Sequence, residues 1–138
     1  MPKTIILSLG GSLIFPENLD RDFLRNFKKV VEKHIKKNYR FIIICGGGKL
    51  ARSFQQVASK GKRLSNEELD WLGIYATKIN AFLLKSMLKA NAEDFIVENP
   101  TEKINFRKKI LIAAGWKPGW STDYDAVLLA KNFKAKED

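Results

Sequence analysis

Three short segments put glycine next to hydroxyl or basic side chains directly after an apolar run. They are Gly10-Gly11-Ser12 after Thr4–Leu9, Gly46-Gly47-Gly48-Lys49 after Phe41–Cys45, and the stretch from Gly115 to Asp123 after Ile110–Ala114. A backbone without side chains lets its amides approach an anion closely, and a helix that follows adds partial positive charge at its N-terminus. All three segments therefore read as phosphate-binding bends. Two common phosphate motifs do not match. A Walker A loop would need Gly at Ile43 and Ser or Thr at Leu50, and the dinucleotide pattern met by Gly46, Gly48 and Ala51 lacks the strand that should follow soon after and end in an acid for ribose.

The bends need a frame that gathers them. Thr4–Leu9, Arg40–Cys45 and Ile110–Ala114 read as buried parallel strands, with a shorter one at Glu93–Glu98. From Asp20 to Lys37, Phe23, Leu24, Phe27, Val30, Val31, His34 and Ile35 recur at helical steps, with Asn18 or Asp20 as the cap and Asp22 favourable in the first turn. His34, the only histidine, continues that apolar stripe and reads as a packed, hydrogen-bonded side chain. Leu50, Phe54, Val57 and Ala58 predict a short amphipathic helix. The stretch Glu67–Asn91 predicts a long helix that is apolar on more than one face, hence buried both against its own sheet and against a second copy. Thr101–Arg107 reads as a brief helix or loop, and Asp123–Phe133 as a last helix with Leu128, Leu129 and Phe133 inward and a frayed Lys131–Asp138 end. Asp123 and Asp125 read as acids favourable to the start of that helix. Strand–helix–strand order implies right-handed crossovers and a mostly parallel sheet between helix layers, with the bends on the carboxyl rim where such sheets bind ligands.

The 138 residues suit one domain. A net charge of +10 fits nucleic acid, a membrane surface or a phosphorylated small molecule. The basic residues of 28–37 lie opposite an apolar face, and no aromatic residues are interleaved with basic ones, so the expected partner is a small phosphorylated ligand and not nucleic acid or a membrane. The lone Cys45 excludes an intramolecular disulfide and reads as a small buried side chain. With no apolar run approaching a membrane span, a cytoplasmic location is expected.

Four strings taken together resemble the amino acid kinase family, and within it most closely the archaeal-type uridylate kinases. These are Ile6–Ser12 (Ile-Leu-Ser-Leu-Gly-Gly-Ser), Gly46–Arg52 (Gly-Gly-Gly-Lys-Leu-Ala-Arg), Leu69–Ala81 and Pro118–Asp123 (Pro-Gly-Trp-Ser-Thr-Asp). The resemblance covers the whole chain and implies a three-layer α/β/α sandwich in which the γ-phosphoryl group of ATP, carried with Mg²⁺ and with no metal site of the protein's own, passes to UMP. It implies that Gly11, Ser12, Gly48 and Arg52 meet ATP, that Arg52 and Lys49 act on the transferring phosphates, and that Gly47, Asp70 and the wrap of Trp116, Lys117, Pro118, Gly119, Trp120, Ser121 and Thr122 hold UMP, with Asp70 on a ribose hydroxyl. A homo-oligomer through the helix around Gly73–Leu88 is expected. Many such kinases carry Lys where Ser8 stands, which makes Lys49 a candidate replacement, and Trp120 stands where a smaller residue is usual. Residues 1–138 correspond to the nucleoside monophosphate lobe of that fold, with no counterpart of its ATP-binding C-terminal lobe, so the chain alone is expected to bind UMP better than ATP and to turn over little. Three alternatives stay open: a kinase of another small phosphorylated or acidic metabolite, a non-catalytic nucleotide-binding or oligomerisation module, and a dinucleotide-binding domain.

Overall fold

The computed structural model describes residues 2–14, 17–61, 63–105 and 107–137. Four strands, β1 (Lys3–Leu9), β2 (Tyr39–Cys45), β3 (Ala92–Val97) and β4 (Ile110–Ala113), form one sheet in the order β1-β2-β4-β3. Every pairing is parallel, so the sheet is more uniform than the mostly parallel one expected. Helices α1 (Gly11–Ile14), α2 (Arg21–Lys36), α3 (Gly48–Gly61), α4 (Asn66–Met87) and α5 (Thr122–Glu137) complete the described fold.

The two sheet faces bury separate apolar clusters. One joins Phe41, Ile43, Ile110 and Ile112 to Leu24 and Val31 of α2 and Ala81 and Leu84 of α4. The other joins Ile42, Ile44, Leu111 and Ala113 to Leu129 and Phe133 of α5. Alternation along each strand sends successive side chains to opposite faces, so a strand covered on both sides must be apolar throughout, as Ile42-Ile43-Ile44 is. This is the layered α/β/α arrangement the sequence predicts.

Local signals set the helix starts. The Asp20 carboxylate accepts from the Phe23 amide at 2.9 Å, choosing Asp20 over Asn18 as the cap of α2. At α4, Ser65 and Glu68 form a reciprocal capping box, with Glu68 N–H donating to the Ser65 hydroxyl oxygen and Ser65 N–H to the Glu68 carboxylate. His34 stays structural: its Nδ1 lies 2.8 Å from the Val30 carbonyl oxygen and its ring meets Tyr39 and Phe41 edge-on. Cys45 is buried and its thiol is pushed up to about 12 by that burial, which leaves it protonated and unreactive.

Of the helix or loop left open for 101–107, the structure forms the loop: residues 101–105 are turn and irregular backbone, and Phe106 lies outside the described residues. Three readings need correction. α5 continues to Glu137, six residues past the Lys131 at which a frayed end was expected. Leu128 is only half-buried, whereas Leu129 and Phe133 are inside. Phe54 and Val57 of α3 and Val30 of α2 point outward; periodicity finds an apolar stripe but not which of two crossing helices will cover it.

Candidate active site

Parallel strands bring their carboxyl ends to one rim, and the three glycine bends meet there. The first two touch: the Gly46 amide donates to the Leu9 carbonyl oxygen at 3.0 Å, and a methyl on Gly11 would fall onto the backbone of Gly46, Gly47 and Gly48. Gly48 takes a φ of +60°, a left-handed conformation that costs an L-residue about 1–2 kcal/mol, and it turns the chain directly into α3. The α3 N-terminus thus opens onto the rim, presenting the first-turn amides that a helix cannot pair internally and its positive dipole end.

A cavity of about 480 Å³ lies between the second and third bends. Its walls are Gly47, Gly48, Ala51, Arg52 and Gln55 from the second bend and α3, Asp70, Gly73, Ile74 and Thr77 from α4, and Gly115 with Lys117–Thr122 from the third. Arg52, Asp70, Gly47, Gly48, Lys117, Pro118, Gly119, Trp120, Ser121 and Thr122 are thereby brought together as expected. Gly11, Ser12 and Lys49 stand beside this cavity without lining it, with Lys49 Nζ 4.0 Å from a carboxylate oxygen of Glu17. Trp116 turns elsewhere and faces a groove with Phe95, Ile96 and Ile104, although its ring stays 5.1 Å from that of Trp120. Trp120 in turn lies 4.9 Å from the Tyr124 ring, and the Lys117 ammonium sits 4.2 Å from the Trp116 centroid. This stack stiffens a loop whose Gly119 turns at φ +88°.

Polar contacts from α4 hold both bends. Asp70 accepts from the Gly119 amide at 3.2 Å and so ties the third loop to the helix. The Thr77 hydroxyl donates to the Ile74 carbonyl and accepts from the Gly115 amide at 2.8 Å. Asn80, buried, donates through Nδ2 to the carbonyl oxygens of Gly46 at 2.9 Å and Gly47 at 3.2 Å. Gln55 reaches the Leu69 carbonyl oxygen at 2.9 Å and links α3 to α4. Sequence reasoning gave Thr77, Asn80 and Gln55 no role. The available signal was two polar residues interrupting the otherwise apolar inner stripe of α4, since buried polar groups are almost always hydrogen-bonded. Asn80→Ala leaves two carbonyls without their donor and is expected to cost about 1–3 kcal/mol, read as a lowered denaturant midpoint. An unchanged midpoint removes Asn80 as the clamp of the bend.

Two acids on α5 differ sharply. Asp123 is exposed and its Oδ1 accepts from the Ser8 hydroxyl at 2.6 Å, which joins the start of α5 to β1 beside the first bend. Asp125 has no solvent exposure, and neither carboxylate oxygen has a hydrogen-bond partner among the described residues. Burial pushes its pKa up to about 6; the nearby Trp116 main-chain N–H, which falls short of hydrogen-bond geometry, opposes this as the smaller cause. An acid near a helix start normally faces water, which is how Asp125 reads in sequence, but position 125 shares its stripe with the buried Leu129 and Phe133.

Bends, a guanidinium and a carboxylate surround one concavity on the carboxyl rim of a parallel sheet, the place where open α/β domains bind their ligands. The chain belongs to the amino acid kinase family, whose model matches residues 3–137. It is similar to the uridylate kinases of Thermoplasma volcanium, 36% identical over 133 residues, and Thermococcus kodakarensis, 35% identical over 133 residues. Each match takes in 95% of this chain but only 57% and 58% of those relatives, so the chain spans little more than half their length. The crystal structure of uridylate kinase from Archaeoglobus fulgidus superposes with a TM-score of 0.79 at 30% identity, covering 96% of this chain and 59% of that one. A UMP kinase from Bacillus anthracis shares the fold, with a TM-score of 0.73 at 19% identity.

Proposed function

We propose that this chain is the acceptor-binding half of a uridylate kinase. It holds UMP in the cavity between the second and third bends, so that the γ-phosphoryl group of ATP can be passed to it, giving UDP. The observation that carries this reading is the convergence of Arg52, Asp70, the α3 N-terminus and the loop 117–122 on one cavity. In this reading Arg52 clamps phosphate, Asp70 exchanges the Gly119 amide for a ribose hydroxyl, and the loop closes over the nucleoside, with Ser121 and Thr122 donating hydroxyls. Trp116 takes part through the stack that supports Trp120. Gly11, Ser12 and Gly48 face the ATP phosphates, with Lys49 supplying positive charge near them and Mg²⁺ arriving with the nucleotide. The acceptor phosphate is already an anion, so no general base is required, and catalysis is positioning and charge stabilisation.

The chain alone is expected to bind UMP more tightly than ATP and to form little UDP. Calorimetric titration with UMP, CMP, AMP and ATP tests this: a preference for UMP supports it, and equal or absent binding overturns it. Arg52→Ala is expected to weaken UMP binding by about 1.5–3 kcal/mol, the range for a hydrogen bond to a charged group, and unchanged affinity removes Arg52 from the site. The exposed Tyr75, Ile79 and Phe82 of α4 support assembly of copies through that helix. Sedimentation should show a species larger than a monomer that Ile79→Glu dissolves; a wild-type monomer overturns the assembly. No described helix is long and apolar enough to cross a membrane, and a cytoplasmic location fits the reading.

A further inference from the structure

Gln55 lines the cavity and donates to a carbonyl that does not need it. Leu69 lies inside α4, where the helix already supplies its carbonyl oxygen with the amide four residues on, and only the oxygen's second lone pair is left to accept. The 2.9 Å bond from Gln55 Nε2 therefore serves to fix the Gln55 amide. Because the Leu69 oxygen can only accept, the amide must turn its NH2 toward it, and Oε1 becomes the group left to the cavity. That oxygen has no partner among the described residues. Glycine at 73 makes room for the arrangement, since a methyl there would come within 3.1 Å of Gln55 Nε2. Asp70, Gly73, Ile74 and Thr77 recur at steps of three and four along α4, so the Gln55 amide lies at the Asp70 end of the face that walls the cavity. The two ends of this face differ. Thr77 already donates to Ile74 and accepts from Gly115, whereas Asp70 Oδ1 and Gln55 Oε1 are acceptors without a donor among the described residues.

We propose that Gln55 is a specificity-determining residue that reads the sugar: Asp70 accepts from one hydroxyl of the ribose and Gln55 Oε1 from the adjacent one. The inference rests on the seating of a nucleotide in this cavity proposed above. Ribose carries two neighbouring hydroxyls, each a donor, and two acceptors presented side by side from α3 and α4 match them. The order along the cavity agrees. The phosphate end is set by the α3 N-terminus and Arg52, and Gln55 follows Arg52 by about one turn, farther from that N-terminus. A nucleotide anchored there by its phosphate brings its sugar to this turn before its base. A neutral amide also suits the place, because a second carboxylate beside Asp70 would repel both that acid and the phosphate. A site built to accept a hydroxyl leaves its acceptor unpaired when the hydroxyl is missing, so the pair selects ribonucleotides over their deoxy counterparts.

The test is calorimetric titration of wild type, Gln55→Leu and Gln55→Lys with UMP, 2′-deoxy-UMP, 3′-deoxy-UMP and CMP. Wild type should bind each deoxynucleotide at least about 3-fold more weakly than UMP. Gln55→Leu should weaken UMP by about 3–10-fold, the range of one neutral hydrogen bond, and should bind one of the two deoxynucleotides as tightly as it binds UMP while still rejecting the other, which Asp70 reads. Gln55→Lys keeps a donor for the Leu69 carbonyl but has no acceptor, so it should lose the same discrimination; its added charge acts on the phosphate common to all four ligands and cancels in the ratio. A Gln55 that only links α3 to α4 would weaken every nucleotide alike and leave the ratios in place, and that result overturns the inference. Loss of the preference for UMP over CMP with both hydroxyl penalties intact would put Gln55 on the base and overturn it too. Should Gln55→Leu not fold, as judged by circular dichroism, Gln55→Lys decides, and a wild type indifferent to either hydroxyl overturns the inference without any variant. UMP binding by wild type with unchanged ratios in the variants removes Gln55 and leaves the kinase reading standing, whereas absence of UMP binding overturns both.

Discussion

Gly48→Ala is expected to unfold the rim and abolish nucleotide binding, while Gly10→Ala, close by in the same cluster of bends, is expected to change little. Gly48 sits at φ +60°, and a methyl there would fall on the Gly11 carbonyl and come within 2.9 Å of the Ser12 amide nitrogen. Two costs combine: about 1–2 kcal/mol for a left-handed L-residue and about 1–3 kcal/mol for inserting a methyl where no space exists. The neighbour cannot yield cheaply, because the atoms met are backbone. Separating the two bends to relieve the clash would pull Gly46 from Leu9 and move the α3 amides away from the phosphate position. At Gly10 a methyl meets nothing within 4 Å, so the change there should stay within about 0.5 kcal/mol, as for other surface substitutions. Denaturation midpoints and UMP titration of the two variants measure the contrast. Equal effects would mean that the contact between the bends is not what shapes the site.

That contrast also separates what was legible in the sequence from what was not. The strands, their parallel order and the carboxyl rim follow from apolar runs ended by glycine, a local signal that the buried Ile42-Ile43-Ile44 and Ile110-Leu111-Ile112 bear out. The gathering of Arg52, Asp70 and 117–122 was legible through motif resemblance, which encodes a spatial arrangement that periodicity lacks. What stayed hidden depends on side-chain direction. Phe54 and Val57 fit an amphipathic pattern yet face outward, because α3 packs on α4 rather than flat on the sheet, and the hydrogen bonds of Thr77 and Asn80 span 38 and 34 residues of sequence. Trp116 and Trp120 are alike in sequence, but only Trp120 lines the cavity. A shift of a few positions around a turn decides that, and composition does not record it.

Asp125→Asn should stabilise the protein near neutral pH and leave it nearly unchanged near pH 4. The wild-type carboxyl titrates at about 6 in the folded chain, against about 3.9 in an unfolded one. Between those values the folded state binds the extra proton, so the stability of the wild type falls as pH rises through this window and levels off above it. A difference of about two pKa values corresponds to about 3 kcal/mol, an order-of-magnitude figure for the penalty of ionising a carboxyl with no partner. Asparagine keeps the size and removes the charge, so it should erase that slope. The comparison of interest is the variant minus the wild type at each pH, because the other carboxylates and the positive net charge contribute equally to both. Denaturant titrations from pH 4 to 8 should show the two curves converging at the acid end and separating above pH 6, with the variant the more stable. Parallel curves would show that the Asp125 carboxyl titrates as it does in the unfolded chain. A buried, unpartnered acid one turn into α5 is costly to maintain, and its neighbours along the chain are the Ser121, Thr122 and Asp123 of the rim. Measuring UMP affinity over the same pH range tells whether that cost reaches the site. Should affinity in the wild type fall as pH rises through 6 and stay level in Asp125→Asn, ionisation of this carboxyl disturbs the loop 117–122; level affinity in both confines the effect to the sheet face beneath α5.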